Sequence, residues 1–188
     1  MACPAYVCGK LLEETAPEFA LDLAGIPYSS AILVTLVFDR ATLAHPLNGF
    51  GFLVPEKERN VVAAATWVST KFPSRIPANL AAIRAFIVGP QAASVMNSSE
   101  EALIQRVRGE LDEMMGIKAS PVFSTVYKWP ASMPQYLVGH GERMKRIRRG
   151  VAQLEGLHLV GNAYAGVGIP DCVRLARQAA GRVSDRRD

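Results

Sequence analysis

The segment from Ser30 to Phe38 constrains this chain more than any other. Ile32, Val34, Leu36 and Phe38 fall on one side of an extended backbone, and Leu33, Thr35 and Val37 fall on the other. Both sides are apolar, so the segment predicts a strand buried on both faces. The longest apolar run, Ala31 to Phe38 broken by Thr35, lies within it and is far short of the ~18 residues that a membrane helix needs. Such a strand needs a layer on either side of it. A length of 188 residues suffices for one ordinary domain or two small ones.

Further strands follow. Residues 50 to 55 (FGFLVP) read as a short strand closed by Pro55, and EKERN at 56 to 60 as a turn. Val61 to Val68 reads as a return strand and Ile83 to Val88 as another, so the succession predicts an antiparallel sheet. Helices frame it. Residues 4 to 24 carry Leu11, Leu12, Phe19, Leu21 and Leu23 on apolar faces, with Pro17 splitting the segment and Gly25 and Pro27 ending it. Ser98 with Glu101 forms a capping box ahead of Leu103, Val107, Leu111 and Met114, and Gly116 stops that helix. Val122 to Trp129 reads as a strand ended by Pro130. A helix over 139 to 154 ends at Gly156, and Leu157 to Val160 reads as a short strand. A last helix starts at Pro170 with Cys172, Ala176, Ala179 and Val183 on one face, and the tail SDRRD is expected to fray. The predicted class is α+β, with no internal repeat and no long linker.

Composition excludes several function classes. With 49% hydrophobic and 20% charged residues the chain is not a disordered or low-complexity segment. The N-terminus lacks a basic region and a cleavage pattern, which predicts a cytoplasmic protein. Cys3, Cys8 and Cys172 fit neither a disulfide framework nor a zinc site, and read as reduced packing thiols. His45, His140 and His158 show no ligand spacing, so no metal is expected. The net charge of +4 is uneven, with ten basic and five acidic residues from Glu142 onward. Arg143, Lys145, Arg146, Arg148 and Arg149 could meet nucleic acid or an anionic membrane surface. They equally suit the solvated side of a helix whose apolar stripe is Met144, Ile147, Val151 and Leu154.

The chain has no GxSxG, no phosphate-binding lysine loop and no zinc motif. The sequence LHLV, GNAYAGVG, IPDC gives strand, glycine loop and helix start in order. The first N–H groups of a helix lack intrahelical partners and sit at its positive end, so this arrangement suits an electron-rich oxygen. It also suits an ordinary strand-to-helix turn.

GNAYAGVGIPDC and MPQYLVGH (133 to 140) resemble the C-terminal end of protoporphyrinogen oxidases, in the flavin amine-oxidase superfamily. IPYSSAILVTLVF (26 to 38), GFGFLVP (49 to 55) and WVSTKFPSRIP (67 to 77) agree in the same order. The resemblance runs from Ala2 to about Gly181. It implies an FAD-dependent enzyme that uses oxygen to convert protoporphyrinogen to protoporphyrin on the route to haem. It also implies an incomplete two-domain FAD-oxidase fold. Residues 1–28 and 129–188 would be flavin-domain pieces, and 29–128 an antiparallel substrate-domain piece. Val167, Gly168 and Ile169 match the family backbone that meets the flavin ring, and Trp129 matches a flavin-proximal position, though as a residue it also reads as a core aromatic. Phe50, Gly51, Leu53 and Phe86 match contacts to the tetrapyrrole, though periodicity alone would make them core.

The dinucleotide fingerprint GxGxxG of that family, the acidic residue about 20 positions beyond it, and its propionate-holding arginine are not in this sequence. Gly89-Pro90 stands where relatives usually carry a second glycine. The chain therefore reads as roughly the C-terminal two-fifths of a flavoenzyme. It is expected to bind no FAD alone, to expose apolar edges, and not to turn over. A truncated, non-catalytic product and one half of a split enzyme both remain open. An upstream reading frame with a GxGxxG unit would favour the latter. A small basic module for nucleic acid or lipid is the third reading; nucleic acid is not expected, and peripheral membrane attachment is left open. Coproporphyrinogen is an alternative substrate.

Overall fold

A computed structural model describes residues 1–184; residues 185–188, most of the tail expected to fray, lie outside the described residues. The chain forms two compact units, one of Met1–Tyr28 with Ser132 onward, the other Ser29–Ala131.

In the first unit, α1 (Ala5–Leu12) and α2 (Pro17–Ala24) confirm the split at Pro17, which opens α2 where its missing N–H costs nothing. The pair packs closely because a Cβ at Gly9 would lie 2.7 Å from the Ala20 carbonyl oxygen. Leu12, Phe19 and Leu23 enter the core, whereas Leu11 and Leu21 face solvent. Helix α6 (His140–Gln153) adds Met144 and Ile147 to that core. Its basic side is partly engaged: Arg146 binds Asp22 at 2.6 Å, Lys145 binds Glu142 at 2.8 Å, and Arg143 donates to the Gly25 carbonyl. Residues 157–160 form no strand. Their polar groups meet the N-terminus instead, with Val160 N–H donating to the Met1 carbonyl and the Met1 ammonium to the His158 carbonyl. Helix α7 (Ile169–Ser184) closes the described chain and has no buried residue.

The second unit is built on a five-stranded sheet. Its strands are β1 (Tyr28–Asp39), β2 (Gly51–Leu53), β3 (Ala64–Trp67), β4 (Leu80–Val88) and β5 (Phe123–Pro134). They lie in the order β2-β3-β4-β1-β5. The pairs β1–β4, β3–β4 and β2–β3 are antiparallel, as the succession of strands predicts. Ile32, Val34, Leu36, Phe38, Ile83, Ala85 and Ile87 pack on Leu103, Val107 and Leu111 of α5 (Glu100–Met115). The four-residue helix α3 (Val68–Lys71) cuts the expected strand short at Trp67, and α4 (Pro90–Val95) adds Ala92 and Val95 to the core. Pro90 is the first helical residue of α4, after Gly89 at φ +66°.

Three further expectations need correction. The opposite side of β1 is only half-buried at Leu33, Thr35 and Val37, so one face of the strand is covered and the other is partly open. The cap of α5 is Ser99, whose hydroxyl accepts from Ala102 N–H, because residue 98 lies one step too early for N-cap geometry. Pro130 does not end β5. It sits on an edge strand, where a missing N–H breaks no ladder, and Ala131 at φ +43° is held by its N–H donating to Ser30 Oγ.

Candidate functional site

In the first unit the loop 161–168 is organised around two tyrosines. The Tyr136 hydroxyl donates to the Asn162 carbonyl at 2.7 Å and accepts from Gly166 N–H at 3.0 Å, tying both ends of the loop. Its ring stacks on His140 at 4.0 Å. Burial, with Arg143 nearby, holds the His140 imidazole below its ordinary pKa. Tyr164 points inward, 6% exposed, and its hydroxyl donates to Cys8 Sγ at 3.5 Å. Burial pushes that phenol well above the ordinary tyrosine range. Cys8 Sγ also lies 3.3 Å from Cys3 Sγ, and all three cysteines are free thiols.

With Ala163 and Tyr164 buried, the next residues turn outward. Gly166 takes φ +122°, and a Cβ there would lie 2.4 Å from the Asp171 carboxyl carbon. Asp171 is fixed in the first turn of α7 by Arg174 at 2.8 Å. Val167 and Ile169 are 62% and 81% exposed. Among the described residues, the N–H groups of Val167, Gly168 and Ile169 have no acceptor, and they stand at the positive end of a 16-residue helix. A cavity of about 600 Å³ lies beside α7, lined by Met144, Ile147, Leu157, Leu159, Leu175 and Ala179 among others.

In the second unit, the ladder registers Leu53 with Ala64, Ala64 with Phe86, and Phe86 with Leu33. Directly paired residues share a face, so these four form one apolar row on the side away from α5. None of the four is buried, and Leu53 is 83% exposed. The neighbouring row is Gly51, Thr66, Arg84 and Thr35. Gly51 takes φ +144°, and a Cβ there would lie 2.0 Å from the Ala65 carbonyl oxygen, so only glycine fits. Phe50, 67% exposed, lies one residue before β2 and outside both rows; its carbonyl accepts from Trp67 N–H. Trp129 lies on β5 and is 51% exposed, so the core reading for it does not hold. Gly51, Leu53 and Phe86 thus share one sheet face, and Val167 to Ile169 form one segment of the other unit.

Sequence pattern alone does not single out Tyr136, Tyr164 or Arg84 as site residues. Tyr136 and Tyr164 fall inside the quoted motifs MPQYLVGH and GNAYAGVG, but their partners are distant in sequence. Arg84 was visible as the one charge within the run LAAIRAFIV.

A flavin fits part of this arrangement. Residues 167–169 offer outward backbone donors suited to an electron-rich ring edge. No GxGxxG loop is present in the sequence to take a pyrophosphate.

The chain belongs to the flavin-containing amine oxidoreductases, whose family pattern matches residues 1–184. It is 33% identical over 80% of its length to a coproporphyrinogen III oxidase of Staphylococcus aureus, covering 32% of that protein. It is 32% identical over 97% of its length to the protoporphyrinogen oxidase of Bos taurus, covering 39% of it. Among solved structures, a provisionally assigned protoporphyrinogen oxidase of Exiguobacterium sp. 255-15 superposes with a TM-score of 0.84 at 30% identity, over 97% of this chain and 40% of that one. A putrescine oxidase variant shares the fold at TM-score 0.66 and 16% identity. The chain therefore spans about a third of the length of the first curated relatives it matches. No helix among the described residues is long and apolar enough to cross a membrane.

Proposed function

We propose that the chain is the C-terminal portion of an FAD-dependent, oxygen-using porphyrinogen oxidase that converts protoporphyrinogen IX to protoporphyrin IX on the route to haem, with coproporphyrinogen the alternative substrate. The observation that carries this reading is the part-exposed row Leu33, Phe86, Ala64 and Leu53, a flat apolar wall suited to a flat macrocycle. The names of the relatives supply the substrate class. A bound flavin would supply a hydride acceptor for the macrocycle and a route for the electrons to oxygen. The residues of this chain hold and orient. Val167, Gly168 and Ile169 present backbone donors, and the positive end of α7 favours negative charge at a ring edge. Tyr136 fixes the loop that aims them, and Trp129 would stand near the ring. Residues 1–28 and 129–188 would serve the flavin domain, and 29–128 the substrate domain.

The basic-module reading is weakened, since Arg146 and Lys145 are paired within the unit.

The test is a visible spectrum of the purified chain after incubation with FAD and gel filtration, alone and with the N-terminal part of a relative that this chain does not match. The expected result is no flavin band alone and a stoichiometric band in the mixture. A flavin retained by the chain alone would overturn the shared-site reading.

A further inference from the structure

The open face of β2, β3, β4 and β1 carries two charged residues: Arg84 in the middle of β4, and Asp39 at the end of β1, opposite Leu80, whose carboxylate accepts from Ala41 N–H. Alternation along β4 sends Ile83, Ala85 and Ile87 into the core and sets Arg84 beside Phe86 on the opposite face. The cross-strand neighbours of Arg84 are Thr66 and Thr35; its own row and the adjacent Leu53–Ala64–Phe86–Leu33 row contain no aspartate or glutamate, and Asp39 lies two same-face pairs away along β1. Among the described residues, the one polar partner of the guanidinium is Thr35 Oγ1, at 3.4 Å from Nε. A guanidinium has five donors, and burying it halfway with a single long neutral hydrogen bond leaves most of them unmet by the protein. Replacing the water on such a group with a carboxylate gives a paired, charge-assisted contact, strengthened by the apolar surroundings.

We propose that Arg84 binds a carboxylate of the tetrapyrrole, taking a propionate group at the edge of a macrocycle that lies on the Leu33–Phe86–Ala64–Leu53 row. This rests on the reading of that row as the macrocycle wall. A planar apolar body with an anionic arm matches the face on both counts: the apolar row meets the ring, and the adjacent cation meets the arm. Thr35 and Thr66 hold the space beside the guanidinium with short side chains, and Gly51 extends the same row with none.

Binding of coproporphyrin III and of its tetramethyl ester to the 188-residue chain, read by porphyrin fluorescence, tests this. The chain is expected to bind both. Arg84→Met should weaken the free acid about 10- to 100-fold and leave the ester unchanged. Arg84→Lys, which keeps the charge but loses the fork, should fall between. Phe86→Ala should weaken acid and ester alike. Equal binding of the acid by the parent chain and Arg84→Met would overturn the assignment while the macrocycle wall stands, and so would equal loss of acid and ester. Failure of the parent chain to bind either porphyrin would overturn both. Circular dichroism of each variant excludes misfolding, and if Arg84→Met fails to fold, the Arg84→Lys comparison of acid with ester decides.

Discussion

Glu110 shows how one residue can hold a segment that has no strand of its own. It lies on α5, 8% exposed, and its two carboxylate oxygens accept from Val61 N–H at 3.0 Å and Val62 N–H at 2.9 Å. Removing the acceptor leaves two buried donors unmet. Glu110→Ala is expected to cost about 3 kcal/mol, and Glu110→Gln, which keeps one acceptor, roughly 1 kcal/mol. Urea unfolding followed by circular dichroism measures both, and equal midpoints for Glu110→Ala and the parent would contradict the clamp. Tyr164 makes a pH-dependent contribution. Burial raises its folded pKa above the unfolded value of about 10, so its stabilisation is complete below that pH and is lost as pH rises through the folded value. Tyr164→Phe should therefore unfold less steeply with rising pH above about 10. Tyr28 and Cys8 are also raised by burial and leave a residual slope. Parallel alkaline titrations of unfolding would detect the difference, and identical slopes would exclude it.

At the scale of elements, local chemistry was more readable than long-range partnership. Pro17, Gly25 and Gly116 marked helix ends correctly because proline and glycine act through their own backbone. The strand β1 is evident in the sequence, but that its second face is only half-buried is not, since no local pattern shows which layer packs on each side of a sheet. Pro130 misled for a similar reason: its effect depends on β5 being an edge strand, which no local pattern reveals. Leu157 to Val160 carried strand-like residues but found Met1 rather than a strand partner. Helices α5 and α7 have equal length and opposite burial: α5 buries Leu103, Val107 and Leu111 completely, and α7 buries nothing. Amide hydrogen exchange should therefore be protected in the middle of α5 and fast through α7 in the isolated chain, because local opening follows the apolar contacts that an element makes. Equal protection of the two helices would contradict this.

For the molecule as a whole, the parts of the candidate site were legible through motifs, and their grouping was not. GNAYAGVGIPDC indicated an exposed loop and helix start, and the structure adds that Tyr136 and Gly166 set its shape. Gly51 and Leu53 lie on β2 and Phe86 on β4, and only the sheet register joins Leu53 to Phe86, through Ala64. Beside the unburied α7 lies a cavity of about 600 Å³ whose lining mixes Leu157, Leu159 and Leu175 with Arg148, Glu155 and Arg174. That matches the account in which the first unit is completed by the dinucleotide-binding half of a flavoenzyme. The most direct test of that account is turnover. The chain is mixed with a flavin-loaded N-terminal half from a relative, given protoporphyrinogen or coproporphyrinogen in air, and followed by the growth of porphyrin fluorescence above the spontaneous rate. The account predicts a rise in the mixture and none with either part alone. A mixture that retains flavin yet oxidises neither porphyrinogen would contradict it.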